Sequence, residues 1–162
     1  MKKWLFHFLM LLGIWLILVW SVEVPDIIAG AIVAFILSLL FHRIFEADLM
    51  CLLNPVRLFW LIVYIPIFFY HMIVANFDVA YRVINPGLPI KPGIVKVKTN
   101  LKTDIGKTML ANSITLTPGT LTVDIDGDYL FIHWINVATE DVEGATESIV
   151  YRFEKYLKRI FG

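Results

Sequence analysis

The hydrophobic positions of this chain gather in three runs in its first half, separated by short polar breaks. The runs cover residues 4–20, 24–42 and 56–80. A helix needs roughly 20 apolar residues, and at least about 17, to cross the hydrocarbon core of a bilayer. The pattern therefore predicts a transmembrane region over residues 1–84 with about three hydrophobic helices. The first two are short, and short helices must thin the bilayer, pack against partners or fail to cross fully.

Proline residues mark the ends of these helices. The break around Pro25 predicts a tight helical hairpin, because proline lacks the backbone N–H and ends a helix at the preceding residue. Asn54 is the expected N-cap of the third helix, with Pro55 at its first position. Pro66 predicts a bend inside that helix. The mixed stretch His42–Arg57 predicts a segment at the membrane interface.

After the third run the pattern becomes that of a small water-soluble domain. Residues 85–93 contain three prolines, which predicts an extended linker. Alternating apolar and polar positions predict three strands, over residues 94–99, 120–125 and 129–136. Helical spacing predicts two helices, over residues 101–112 and 139–161. Asp126-Gly127 predicts a hairpin between the last two strands, and Thr139 is the expected cap of the final helix. Residues 94–162 are therefore expected to form an α+β module of order β-α-β-β-α, with helices on one face of the sheet.

Composition supports this division and excludes several classes of protein. The chain is 59% hydrophobic and only 17% charged, against about 45–50% and about 25% in ordinary soluble domains. Its net charge is zero, so the electrostatic footprint of a nucleic-acid-binding protein is missing. A single cysteine, Cys51, excludes a disulfide framework or a multi-cysteine metal site. The sequence has no phosphate-binding loop, dinucleotide fingerprint or nucleophile elbow, so we expect no catalytic, cofactor-binding or metal-binding residues.

The positively charged residues leave the membrane topology open. Lys2 and Lys3 precede the first run, and Arg43 and Arg57 lie between the second and third. The first to follow the third run are Arg82, Lys91, Lys96 and Lys98. Positive residues favour the cytoplasmic side, and three full crossings cannot place all three groups there. Either the C-terminal module lies outside, or the N-terminal pair does not follow the rule.

A few polar residues in or beside the membrane segments are candidates for an ion path or an interface. His71, Asn76 and Asp78 lie within two turns of the third helix, an arrangement that suggests a proton relay. The alternative is an interfacial histidine packed against a neighbouring subunit. Glu23 and Asp26 flank the first break, where they either bind an ion or keep the hairpin turn hydrated.

One long run carries a family resemblance. Residues 111–125 resemble the signature of the E subunit of Mrp/Mnh-type multisubunit cation/proton antiporters, and so do residues 91–95 and 54–57. The resemblance covers essentially the whole chain. Related subunits occur in archaeal membrane-bound hydrogenase and sulfane reductase complexes, and the sequence does not separate these hosts.

The resemblance implies a role rather than an active site. It implies an accessory, non-catalytic subunit without a cofactor, in the cell membrane, that supports assembly and Na+/H+ exchange. Its partners would be other membrane subunits and the lipid bilayer, not nucleic acid. The subunit would be multi-pass with its C-terminal module on the cytoplasmic side. The alternatives are the equivalent subunit of a respiratory complex or a membrane-anchored binding module.

The signature run also has a physical interpretation. Pro118 and Gly119 are typical of a turn that ends one element and starts a strand. The alternative to local turn chemistry is a surface that docks against neighbouring subunits. Its candidate residues are Asn112, Ser113, Thr115, Thr117, Pro118, Gly119 and Thr120.

Overall fold

The structure, a computed structural model, describes residues 2–41 and 54–162. The chain divides into two compact units, residues 1–51 and 52–162. The last residue of the second hydrophobic run, most of the predicted interfacial stretch and Cys51 lie outside the described residues.

The first unit is a hairpin of two helices, α1 (Lys2–Val19) and α2 (Val24–Phe41). They pack against each other as the break around Pro25 predicts. The reversal passes through Trp20, whose φ of 53° lies in the left-handed region. Across the turn, the indole N–H of Trp15 donates to the backbone carbonyl of Asp26 at 3.0 Å.

The second unit begins with a long helix, α3 (Pro55–Ile84). Its start is confirmed by its cap, because the Asn54 side chain accepts from the Val56 amide at 2.9 Å and Pro55 occupies the first turn. Among the described residues, α3 is the one helix long and apolar enough to cross a membrane. The apolar parts of α1 and α2 are shorter, in keeping with the prediction of two short helices.

The rest of the second unit contains three strands and three helices. They are β1 (Gly93–Lys98), α4 (Asp104–Thr115), β2 (Thr120–Asp126), β3 (Tyr129–Trp134), α5 (Val142–Ile149) and α6 (Tyr151–Phe161). The sheet is antiparallel with strand order β1-β3-β2. The predicted β-α-β-β order is confirmed. The residues beyond 90 in the predicted linker already pair with the sheet, because the Lys91 amide donates to Ile135 at 3.1 Å.

The helices cover one face of this sheet, where alternate strand residues are buried. They include Val95 and Val97 of β1 and Leu130 and Ile132 of β3. Gly127 and Asp128 form the hairpin turn, because Asp126 pairs with Tyr129. Gly127 supplies the positive φ of 59° that tight two-residue hairpins require.

The end of the chain differs from the prediction of one helix capped by Thr139. The helix begins at Val142 and its N-cap is Asp141, whose carboxylate accepts from the Gly144 amide at 2.6 Å. The Thr139 hydroxyl instead donates to Asp141 and so supports the cap from outside. An irregularity at Val150 divides the helix into α5 and α6, although the backbone there stays helical (φ −87°, ψ −47°).

Candidate functional site

The signature turn between α4 and β2 is held by its own hydroxyl groups. The Thr117 hydroxyl donates to the Ser113 carbonyl at 2.7 Å, and the Thr120 hydroxyl donates to Ile114 at 2.7 Å. The last carbonyls of a helix have no partner within the helix. The Thr117 hydroxyl supplies one for Ser113, and the Thr120 hydroxyl adds a second bond to Ile114, which also accepts from the Thr117 amide at 3.1 Å. Gly119 takes φ +90°, which residues with a Cβ rarely adopt. The local turn interpretation therefore accounts for most of the hydroxyl-rich pattern.

The candidate docking residues differ in exposure. Ser113 and Thr117 are buried, and Pro118, Gly119 and Thr120 are half-buried. Asn112 and Thr115 are exposed at the end of α4, and Leu116 beside them is 62% exposed. A partner that reaches this part of the chain would meet these three side chains first.

Ser113 also connects the signature run to α3. Its hydroxyl lies within hydrogen-bonding distance of the Tyr64 hydroxyl and donates to the Met109 carbonyl at 2.6 Å. Tyr64 is 4% exposed, and its ring lies beside Phe68 and Tyr156. A residue of the third hydrophobic run is thus built into the interior of the α+β module.

The contacts of α3 with the module continue along one face of the helix. Near its start, the Trp60 ring lies under the Arg159 guanidinium, with 4.0 Å from the guanidinium carbon to the ring centroid. Further along, His71 meets the Phe153 ring edge-on, with ring centroids 5.6 Å apart. Near the other end, a Cβ at Gly119 would lie 3.4 Å from the Val79 side chain. The whole helix is therefore part of the same compact unit as the sheet.

The polar residues predicted to form a relay on α3 each have a separate partner. His71 faces Phe153, and the Asn76 amide donates to the Met72 carbonyl at 2.8 Å. Asp78 forms a two-pronged ion pair with Arg82, at 2.8 and 3.1 Å. Each of the three side chains therefore contacts a different partner, and these contacts do not join them into a path for a proton.

The acids of the first break lie at the start of α2. Asp26 is in the first turn, where a negative charge complements the helix dipole, and its carbonyl is the acceptor for Trp15. Glu23 precedes the helix, and its amide donates to the Ser21 hydroxyl at 3.2 Å. These contacts fit the interpretation in which Glu23 and Asp26 are part of the hairpin turn.

Two charged residues are built into the α+β module. The Glu154 carboxylate is buried and accepts from the Thr99 hydroxyl at 2.6 Å and the Asn100 amide at 2.5 Å, which joins α6 to the end of β1. Burial lowers the pKa of Arg152 on the same helix. Within the described residues no group of three or more histidine, cysteine or acidic side chains is placed to hold a metal ion.

Comparison with known proteins assigns the fold to a family. A family model described as "Na+/H+ ion antiporter subunit" matches residues 8–160. The chain belongs to this family. The match runs from α1 to the last turn of α6, so the family includes both the helical hairpin and the α+β module.

Named members of the family resemble this chain over most of their length. The E subunit of a Na+/H+ antiporter from Alkalihalophilus pseudofirmus is 35% identical over 142 residues, which cover 83% of this chain and 87% of the relative. The E1 subunit of a Na+/H+ antiporter from Staphylococcus aureus is 32% identical over 148 residues, which cover 90% of this chain and 89% of the relative.

A solved structure matches the fold as well as the sequence. It is a chain of the membrane-bound sulfane sulfur reductase, described as an archaeal respiratory membrane complex. The TM-score is 0.85 with 48% identity, and the match covers 99% of this chain and all of the other.

Sequence reasoning missed Tyr64 and the cations of α6 as residues of interest. The sequence does contain a pattern that indicates a packed face on α3. Residues with a polar group at the tip of the side chain recur there at helical spacing: Arg57, Trp60, Tyr64, His71, Asp78 and Arg82. Such a spacing marks one face of a helix. The pattern was hidden by the strong overall hydrophobicity of the run.

Proposed function

We propose that this chain is an accessory, non-catalytic subunit of a multisubunit cation/proton antiporter module in the cell membrane, where it supports assembly and Na+/H+ exchange. The observation that carries the proposal is the family match over residues 8–160, with relatives that are named as E subunits of Na+/H+ antiporters. Its partners are then the other membrane subunits of such a complex and the bilayer.

The apolar hairpin of α1 and α2 supports a multi-pass position in the membrane. The apolar parts of the two helices, Trp4–Val19 and Val24–Leu40, lie at the short limit of about 17 residues for a crossing, so two packed helices would enter the membrane together. We place the C-terminal α+β module on the cytoplasmic side, where the positively charged residues Arg82, Lys91, Lys96 and Lys98 favour it.

Sequence identity favours a second candidate for the complex that contains this chain. The chain of the sulfane sulfur reductase is 48% identical to this one, whereas the antiporter subunits from Alkalihalophilus pseudofirmus and Staphylococcus aureus are 35% and 32% identical. The candidate alternative is therefore the equivalent subunit of a respiratory membrane complex. A free-standing, membrane-anchored binding module is the third possibility.

The contacts of the candidate ion-path residues support an accessory role. On α3, His71 contacts Phe153 and Asp78 is already paired with Arg82. In the hairpin, Glu23 and Asp26 belong to the turn and the start of α2. A subunit that docks can do so through the exposed end of α4, at Asn112 and Thr115. We infer that neighbouring subunits carry the ion path.

Transport measurements test this role. Cells that lack the chain should lose sodium-dependent proton exchange in membrane vesicles, and the full-length chain supplied in trans should restore it. The purified chain alone in liposomes should move no ions. Ion movement by the isolated chain would overturn the accessory role.

Single replacements of His71, Asp78 and Glu23 separate an accessory role from a direct contribution to transport. Each variant should keep sodium-dependent proton flux in intact complexes, with assembly checked by native gel. If a variant assembles normally yet loses flux, its residue belongs to the ion path.

The genes that adjoin the one for this chain identify the complex to which it belongs, because hydrogenase or reductase genes beside it indicate a respiratory complex.

A further inference from the structure

The helix α3 has two different faces. One face contacts the α+β module along most of the helix, from Arg57, which donates to the Gly162 carbonyl at 3.2 Å, to Val79 beside Gly119. At 1.5 Å per residue this contact is about 33 Å long. Tyr64, in the middle of the contact, is buried.

The opposite face of α3 is apolar and uncovered. Its large side chains are between 49% and 73% exposed: Phe59, Ile62, Phe69, Ile73 and Phe77. They form a strip about 27 Å long at helical rise. A continuous exposed strip of this kind marks a surface that meets lipid or a partner.

An upright, membrane-crossing α3 conflicts with its own contacts. The hydrocarbon core is about 30 Å thick, so a helix in contact with the module over about 33 Å would draw the module into the core. The neighbouring helix α6 carries Arg152, Lys155, Lys158 and Arg159, and charged side chains in the hydrocarbon core are costly. The packing therefore favours a helix that lies along the membrane rather than through it.

Cations line the flank of α3 on the side of α6. Arg159 lies over the Trp60 ring at 4.0 Å, and the Lys155 ammonium lies 4.9 Å from the centre of the Tyr156 ring. Arg57 extends the row at the start of the helix. Arginine and lysine beside an exposed apolar strip are typical of helices that lie in the interface of anionic membranes.

The acids of α3 and α6 do not neutralise this flank. Asp78 is paired with Arg82 of its own helix. Glu154 of α6 is buried and accepts from Thr99 and Asn100 at the end of β1. The cations beside α3 thus have no acid partner on these two helices and are available to an external anion.

We propose that α3 lies in the plane of the membrane surface, with its exposed strip in the boundary between headgroups and acyl chains and the α6 cations against anionic lipid phosphates. The proposal rests on the membrane location in the proposed function. It commits to lipid as the occupant of the strip, because the cation row complements phosphate and the same chain carries an apolar hairpin ahead of α3.

An in-plane α3 also resolves the conflict of positive charges found in the sequence. When α3 does not cross, the cations at its two ends stay on one side of the membrane. Arg57 ahead of α3, and Arg82, Lys91, Lys96 and Lys98 at its end and beyond, then all take the favoured cytoplasmic side. No arrangement with three full crossings achieves this.

Depth measurements on the full-length chain test the proposal. Single cysteines replace Phe59, Phe69 or Phe77 in a chain with Cys51→Ser, which is reconstituted in vesicles of phosphatidylcholine and phosphatidylglycerol. Each carries a nitroxide, and its accessibility to oxygen and to a water-soluble nickel complex gives its depth. An in-plane helix gives three similar depths, about 5–10 Å below the headgroups. A label at Ile32 on the exposed side of α2 is the control for membrane insertion.

The possible outcomes are distinct. A deep label at Phe69 with Phe59 and Phe77 near opposite surfaces would show a crossing helix and overturn the proposal. A label at Phe69 that is shielded from both reagents in native membranes would assign the strip to a protein partner and also overturn it. A label at Ile32 outside the lipid would instead remove the membrane location on which the proposal rests.

The cation row has its own test in the same labelled chain. Lys155→Gln with Arg159→Gln should raise the nickel accessibility at Phe69 several-fold, and vesicles without phosphatidylglycerol should do the same to the parent chain. Lys96→Gln is the matched control, because that ammonium lies over Tyr129, 4.0 Å from the ring centre, on the sheet. Equal accessibility in all variants and vesicles would overturn the role given to anionic lipid.

Discussion

At the scale of single residues, the side chain that most changes the picture is Tyr64. It lies in an apolar run, yet its hydroxyl reaches Ser113, 49 positions along the chain, in the interior of the module. A local feature such as the Asn54 cap could be predicted, because a cap involves only neighbours within one turn. The contact between Tyr64 and Ser113 could not, because it depends on how α3 meets α4.

Tyr64→Phe tests this contact. Removal of the hydroxyl should lower the free energy of unfolding of the second unit by about 0.5–1.5 kcal/mol, the usual net value of one hydrogen bond. Ser113 keeps its bond to Met109, so no buried donor is left unpaired. Thermal unfolding of the full chain in detergent micelles measures the change. Tyr70→Phe, on the exposed face of the same helix, is the matched control and should have no effect.

Asp128 at the hairpin turn makes the stability of the module depend on pH. Hydrogen bonds from Lys107 and Lys102, both at 3.0 Å, hold the pKa of this carboxyl below its ordinary value. A carboxyl with a lowered pKa in the folded state stabilises the fold above its unfolded pKa of about 3.9, and loses this contribution as the pH falls through the folded pKa.

Asp128→Asn should therefore lower the melting temperature at neutral pH and have progressively less effect as the pH falls below about 4. Thermal unfolding at a series of pH values measures the difference between variant and parent. Asp126→Asn, which leaves both lysine contacts in place, is the control. A difference that is independent of pH would show that the ion pairs with Lys107 and Lys102 do not contribute.

At the scale of elements, the two tight turns and the helical hairpin follow from short patterns in the sequence, and the end of the chain does not. Thr139 and Asp141 are both good N-cap residues. The structure uses Asp141 and assigns Thr139 to support it. A choice between two competent caps two residues apart depends on where the helix meets the sheet, which the local sequence does not contain.

Gly119 is the most constrained position of the signature turn. Gly119→Ala should destabilise the module by about 1–2 kcal/mol, because φ +90° disfavours a Cβ and the Cβ would approach Ile135 to 3.0 Å. Gly127→Asn is the control at the other turn, where φ is +59°, asparagine tolerates such an angle and nothing lies within 4 Å of a Cβ. Chemical unfolding of the full chain compares the two. Equal effects would contradict the special role of Gly119.

Gly30 plays the corresponding role in the hairpin of α1 and α2. A Cβ there would collide with the indole of Trp15, so the two helices approach closely at this point. Gly30→Leu should separate them and lower several-fold the yield of a thiol crosslink between cysteines placed at Trp4 and Phe35, whose rings are 5.8 Å apart. Gly13→Leu, in open space on α1, is the control and should leave the yield unchanged.

At the scale of the whole molecule, the sequence predicts a membrane part followed by an α+β module, and the family resemblance is confirmed over residues 8–160. What the sequence did not predict is that α3 packs on the helices of the module, with Tyr64 against Ser113 of α4 and Phe68 against Phe153 of α6. Hydropathy counts apolar residues and does not show which face they occupy. Length and hydropathy alone therefore do not separate a membrane-crossing helix from a helix of 30 residues with one packed face and one exposed apolar face.

The central claim is that this chain works as one component of a larger membrane complex of the antiporter type. Affinity purification of the tagged full-length chain from native membranes in mild detergent, with mass spectrometry of the proteins that accompany it, tests this most directly. The account predicts that several other membrane proteins, the large multi-helix subunits among them, co-purify in constant ratio. Recovery of the chain alone, or only with soluble proteins, would contradict it.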